Sequence, residues 1–176
     1  DMERAESDWE QARQIKSTLA LDYYKTAEIQ MEQQRFDNAM SSYSRSIRLE
    51  PERPDAYAAR AKIHLLQNEF EAALADLNQA IRLGPDVALW HADRSILLEQ
   101  LGKQDQAEAD WQEVMRIDPN CADHLVRQGD GFRNSDMLDW AIEAYTKAIQ
   151  LDPKRAGPFL SRGRLYFQLK QYHDAL

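Results

Sequence analysis

The sequence predicts an all-α solenoid of antiparallel helix hairpins, and three observations carry that prediction. The phrases Leu49-Glu50-Pro51, Leu83-Gly84-Pro85, Ile117-Asp118-Pro119 and Leu151-Asp152-Pro153 repeat with their prolines 34 residues apart, and self-similarity at that period marks stacked helical hairpins. With the proline numbered position 32, small residues recur at position 8 (Ala27, Ala61, Ser95, Gly129, Gly163) and position 20 (Ala39, Ala73, Ala107, Ala141, Ala175). Small side chains at matched positions let two helices approach closely. Large apolar residues recur at position 24 (Tyr43, Leu77, Trp111, Tyr145) and position 28 (Ile47, Ile81, Met115, Ile149), which with position 27 make one helical stripe.

Taken in order, residues 1–19 extend this register backwards. Met2, Ala5, Trp9, Ala12 and Ile15 fall on positions 17, 20, 24, 27 and 30, as in the second helix of a preceding repeat. A dedicated capping helix is the alternative. Ser17 stands where the proline would be, so nothing forces a break and the helix can run on through Leu19. Full repeats follow at 20–53, 54–87, 88–121 and 122–155. Each has a polar turn between its helices, such as Gln33-Gln34-Arg35 or Gly102-Lys103-Gln104, and a second helix ending at its proline. Residues 156–176 form a partial repeat in which Tyr172, Ala175 and Leu176 begin a second helix. The register therefore predicts one solenoid over 1–176 that is a segment of a longer array.

Composition narrows the function. The 176 residues are 43% hydrophobic and 30% charged, with six glycines and six prolines, which describes a helical protein with a real core. No apolar run approaches membrane length. A net charge of -8 argues against a nucleic-acid backbone as partner, because displacing its counterions needs clustered Lys and Arg. The lone Cys121 excludes an internal disulfide and, with no recognisable signal or lipidation pattern, predicts a reducing, cytoplasmic setting.

Within the repeats, Arg60 and Arg94 at position 7 occur where Asp76 and Asp110 occupy position 23, whereas the first and fourth repeats have Thr26 with Ser42 and Gln128 with Ala144. Joint presence and absence predicts an ion pair across each of the two middle hairpins. In the fourth repeat Gly131 replaces the apolar residue of position 10, which weakens that helix by about 1 kcal/mol relative to alanine. Trp140, at the usually polar position 19, is either an outer-surface anchor or packing for an adjoining turn.

Ala61, Phe70, Ala73, Leu77, Ala80 and Pro85 in the second repeat, and Gly129, Phe132, Ala141, Tyr145, Ala148 and Pro153 in the fourth, form a pattern that resembles the tetratricopeptide repeat family over nearly the whole chain. His91 at position 4 and Gln30 and His64 at position 11 depart from it. The resemblance implies a right-handed superhelix whose first-helix positions 2, 5, 9 and 12 line a concave groove. With two position 6 residues added, the candidate groove consists of Tyr24, Glu28, Lys62, Leu65, Leu89, Asp93, Ile96, Val126, Arg127, Asp130, Arg133 and Arg164. Position 12 residues such as Met31, Leu65 and Phe167 are read either as groove surface or as packing between hairpins.

Such a groove implies a non-catalytic scaffold for a peptide or helix with apolar anchors flanked by charges. The alternative is a structural element that assembles with itself or along a filament. Relatives that grip heat-shock chaperone tails use a basic clamp at positions 5, 9, 6, 2 and 6 of three successive repeats. This chain offers Tyr24, Glu28, Ala59, Leu89 and Asp93 in the first register, and Ala58, Lys62, Asp93, Asp123 and Arg127 in the second. Neither can hold two carboxylates, so the chaperone tail is not the expected partner. No catalytic residue, cofactor or metal is expected: Cys121, Asp123 and His124 read as structural, and the histidines are scattered over four repeats.

Overall fold

The computed structural model describes residues 2–119 and 121–174, which among themselves form helices and turns without a strand. The helices are α1 (Met2–Glu32), α2 (Phe36–Leu49), α3 (Pro54–Leu66), α4 (Phe70–Leu83), α5 (Ala88–Gln100), α6 (Gln104–Ile117), α7 (Ala122–Asn134), α8 (Leu138–Leu151) and α9 (Ala156–Asp174). They fall into two compact units, Asp1–Pro85 and Asp86–Leu176. In the first, α1 packs on α2, α3 on α4, and α2 on α3. In the second, α5 packs on α6, α7 on α8, and α8 on both α9 and α5. The fold is an all-α helical repeat solenoid.

The repeated proline acts through the residue before it. Glu50, Gly84, Asp118 and Asp152 all end their helices in the same non-helical conformation, with φ of -134°, -144°, -145° and -132°. The following proline ring clashes with an α-helical residue at that point, so the helix stops there each time. The turn inside each hairpin is equally regular. Position 15 is left-handed in all four, at Gln34 (φ 58°), Asn68 (59°), Gly102 (71°) and Asp136 (59°). Around it run the two backbone bonds of a Schellman closure: Arg35 N–H to Gln30 carbonyl (2.8 Å) with Gln34 to Met31 (2.9 Å), and equivalents at 69, 103 and 137. Three of these four residues are not glycine, and such strain persists only where packing fixes it. Docking of the second helix on the first supplies that packing.

The two ends behave differently from the interior. α1 runs unbroken for 31 residues through Ser17, as the missing proline allows. α9 also continues, through Lys170 at position 15. Tyr172 therefore prolongs α9 instead of starting a second helix. Ala175 and Leu176 lie outside the described residues.

Close approach at positions 8 and 20 sets the hairpin geometry. Ala27, Ala39, Ala61, Ala73 and Ala141 are fully buried, and in the third repeat Ser95 Oγ donates across the hairpin to the Ala107 carbonyl at 2.9 Å. In the fourth the Tyr145 ring lies over Gly129 so tightly that a Cβ there would fall 2.7 Å from Cε1. Trp140 is packing: it is buried against Phe132, with ring centroids 5.6 Å apart.

Both expected ion pairs form. Arg60 Nε and Nη2 donate to Asp76 Oδ2 and Oδ1, both at 2.7 Å, and Arg94 makes the same fork on Asp110 at 2.7 and 2.6 Å. The histidines that depart from the family pattern contact these aspartates. His91 Nδ1 lies 3.0 Å from Asp110 Oδ1, and His64 Nε2 lies 3.6 Å from Asp76 Oδ2. In the first repeat Ser42 donates to Gln30 at 2.8 Å, so a polar position 11 answers a polar position 23 there as well.

Two stability measurements check this account. By urea unfolding, Gly131→Ala, where an added Cβ meets nothing within 4 Å, is expected to stabilise by about 1 kcal/mol. Gly129→Ala is expected to destabilise, since overpacking costs about 1–3 kcal/mol and exceeds the helix gain. Asp110→Ala strands a half-buried guanidinium and is expected to cost about 3 kcal/mol. Burial alone would raise the Asp110 carboxyl, but Arg94 and His91 outweigh it and hold it below its ordinary value. A depressed carboxylate stabilises at neutral pH and loses that contribution as pH falls below about 4. The Asp110→Ala variant is expected to lose that acid-induced decline.

Candidate functional site

The first helices present the candidate surface. Within one helix, residues 4 and 7 apart share a face, so positions 5, 9 and 12 form a stripe rotated away from positions 4, 8 and 11, which meet the partner helix.

In the first unit the stripe starts at Tyr24, half-buried and tilted against Tyr43 with centroids 5.6 Å apart. Tyr43 is 1% exposed and its hydroxyl donates to Glu28 Oε1 at 3.1 Å. Burial, then Glu28, pushes the Tyr24 hydroxyl up to about 12, and burial with Glu28 raises Tyr43 further in the same direction. Both phenols stay neutral, so Tyr43 is a fixed donor that anchors the exposed Glu28 carboxylate. Lys62 is exposed. Leu65 is buried, so this position 12 residue is packing and not contact surface.

In the second unit the same device recurs at the same positions. Tyr145 donates to Asp130 Oδ1 at 2.8 Å, and Arg133 Nη1 lies 3.1 Å from that oxygen. Burial, then Asp130, pushes the Tyr145 hydroxyl up to about 12. Arg127 is exposed beside His124, with Nη2 3.0 Å from Nδ1. Val126 and Leu89 are half-buried, and Arg164 is exposed between Leu160 (62% exposed) and Phe167 (65%) on α9. Asp93 and Ile96, read from sequence as groove residues, are buried at 3% and 1% exposure. Asp93 accepts a hydrogen bond from Gln128, so it is an interior acceptor.

The sequence reading missed two features. One is the tyrosine–carboxylate device: Tyr at position 24 occurs with an acid at position 9 in repeats one and four, and with neither in repeats two and three. That joint pattern was the available signal. The other is the anchoring of Glu99, a position 12 residue. Lys147 on α8 lies 2.6 Å from Glu99 Oε1 and 4.0 Å from Glu143 Oε1, with its ammonium 4.7 Å from the Trp111 ring centroid. This pairing spans two repeats, and no single-repeat pattern reveals it.

Among Cys121, Asp123 and His124, the cysteine is buried and burial, then Asp118, pushes its thiol up to about 11. Asp123 pairs with Arg155, and His124 with Arg127. The described residues contain no group of three or more metal-ligating side chains, and no described helix is long and apolar enough to cross a membrane.

The tetratricopeptide repeat model matches residues 24–88 and 59–122. The chain belongs to the tetratricopeptide repeat family. Solved tetratricopeptide proteins share its fold. MamA is 19% identical with a TM-score of 0.59, covering 89% of this chain and 95% of that one. YrrB, described as having an unusual peptide-binding site, is 20% identical with a TM-score of 0.58, covering 89% and 81%. The second tetratricopeptide domain of Spaghetti (RPAP3), bound to the HSP90 peptide SRMEEVD, is 25% identical with a TM-score of 0.58, covering 61% and 99%. No curated protein sequence matches the chain.

The Glu143 carboxyl provides a check on the Lys147 cluster. Burial, then the hydrogen bond and charge of Glu99, pushes it up to about 7 against Lys147 and Arg162. The folded chain holds this proton more tightly than the unfolded one, so stability is expected to fall as pH rises from about 4.5 to 7. In thermal melts, Glu143→Gln is expected to flatten that slope.

Proposed function

We propose that the chain is a non-catalytic protein-interaction scaffold of one continuous array, acting in the cytoplasm, that binds an extended or helical peptide along its first-helix stripe. Family membership and the peptide-bound state of the Spaghetti domain support the class. The observation that carries the finer reading is on α9, where exposed Leu160 and Phe167 flank Arg164 on one face. Apolar surface on both sides of a guanidinium suits a peptide with two apolar anchors around an acidic residue. Arg127 extends the basic edge, while Tyr145 holds Asp130 in place as a register-setting acid. The chaperone-tail mode is disfavoured, because Leu89 and Asp93 stand where that clamp is basic.

Peptides selected from a displayed library against the chain test the reading. Leu160→Ser/Arg164→Glu/Phe167→Ser is expected to weaken their binding at least about tenfold, or 1.4 kcal/mol, with the fold unchanged by circular dichroism. Equal affinities for wild type and variant would remove the groove.

A further inference from the structure

Within each unit, successive hairpins stack second helix on next first helix, as α2 packs on α3 and α8 on α9. The junction of the third and fourth repeats departs from this. Among the described residues α6 makes no comparable packing with α7, and α5 packs on α8 instead. The polar contacts move in the same way. Position 7 of a repeat reaches position 25 of the one before it where Arg60 Nη1 donates to Ser44 Oγ (3.1 Å) and Arg162 Nη1 to Thr146 Oγ1 (2.9 Å). Gln128, at position 7 of the fourth repeat, donates to Asp93 on the first helix of the third. Gln112, at position 25 of the third, is exposed and donates to Glu108 on its own helix.

This shift covers one side of the junction and uncovers the other. Position 9 is exposed at Glu28 and Lys62, and position 6 at Lys25 and Arg127, yet Ile96 and Asp93 are buried at those positions. Since α6 takes positions 4, 8 and 11 of α5, the cover within this unit comes from the fourth hairpin. Lys147 of α8 completes it, its ammonium meeting Glu99 and the Trp111 ring. On the far side, Met115 at position 28 is 45% exposed, whereas Ile47 at the α2–α3 contact is 9% exposed. Ile63 at position 10 is fully buried, whereas Gly131 is exposed with nothing within 4 Å of an added Cβ. Gln128 Oε1 is buried and, among the described residues, has no hydrogen-bond partner.

We propose that the fourth hairpin is an autoinhibitory occupant of the third repeat's stripe, and that the junction has a second packing in which α7 stacks on α6 and Asp93, Ile96 and Glu99 face solvent. The stacked form returns Met115 to an interface and frees the stranded Gln128 carbonyl, and it gives up the Lys147 contacts. Gains therefore offset losses, the condition under which one sequence keeps two packings. That the released stripe serves a peptide rests on the scaffold reading. The exchange itself is measured without any peptide, so either can fail alone.

Thiol labelling tests the proposal in a Cys121→Ala background, which removes the lone native cysteine. Ile96→Cys reports opening of the stripe, and Val114→Cys, fully buried on α6, reports unfolding of the third hairpin. The thiol of Ile96→Cys is expected to label faster than that of Val114→Cys. Lys147→Ala is expected to raise the first rate at least about tenfold beyond any change in the second. Gly131→Leu supplies an apolar side chain that only the stacked form buries, and is expected to raise the first rate without loss of stability. Equal rates at the two thiols, Lys147→Ala rates that rise together, or no increase with Gly131→Leu overturns the proposal.

Discussion

The close approach of two helices at positions 8 and 20 is the constraint on which the rest of this structure depends. Helices pack this tightly only where side chains are reduced to a methyl, a hydroxymethyl or a hydrogen, as at Ala27 against Ala39 or Gly129 under Tyr145. That contact fixes which other positions face each other across the hairpin: 7 with 23, 9 with 24, and 11 with 23. Polar groups at these positions lose water and must find partners. They do, as Arg–Asp forks in two hairpins, Tyr–carboxylate bonds in two, and a Ser–Gln bond in one.

These polar pairs are better understood as devices of registration than as sources of net stability. A half-buried ion pair roughly balances its own desolvation, while leaving one member unpaired is costly. A hairpin that slid by one turn would strand Arg94 and Asp110 together. The left-handed residue at position 15 acts in the same sense, since Gln34, Asn68 and Asp136 hold a backbone that non-glycine residues adopt at a cost, and the hairpin turn needs it there. Where α9 lacks a docked second helix among the described residues, Lys170 remains helical.

The exposed part of the candidate surface follows from what this packing leaves over. Leu65 and Ile96 lie at stripe positions and Asp93 at position 6, yet all three are buried. Lys62, Arg127 and Arg164 are exposed, and Glu28 and Asp130 are tethered by tyrosines. The sequence could not separate these groups, because helical phase gives a direction from one helix axis while burial depends on neighbouring elements. The Lys147 cluster shows the same limit. Its members come from positions 12, 22, 24 and 26 of two repeats, so no comparison of equivalent positions brings them together.

The sequence by itself determined the period, the helix stops, the hairpin contacts and the two arginine–aspartate pairs. Each of these is local to one 34-residue unit and is repeated, so the copies check one another. Tertiary structure decided which stripe residues stay exposed, that Trp140 packs on Phe132, and that His64 and His91 lie against the aspartates beside them. Those outcomes depend on surface covered by elements distant in sequence, and periodicity along one chain does not encode that cover.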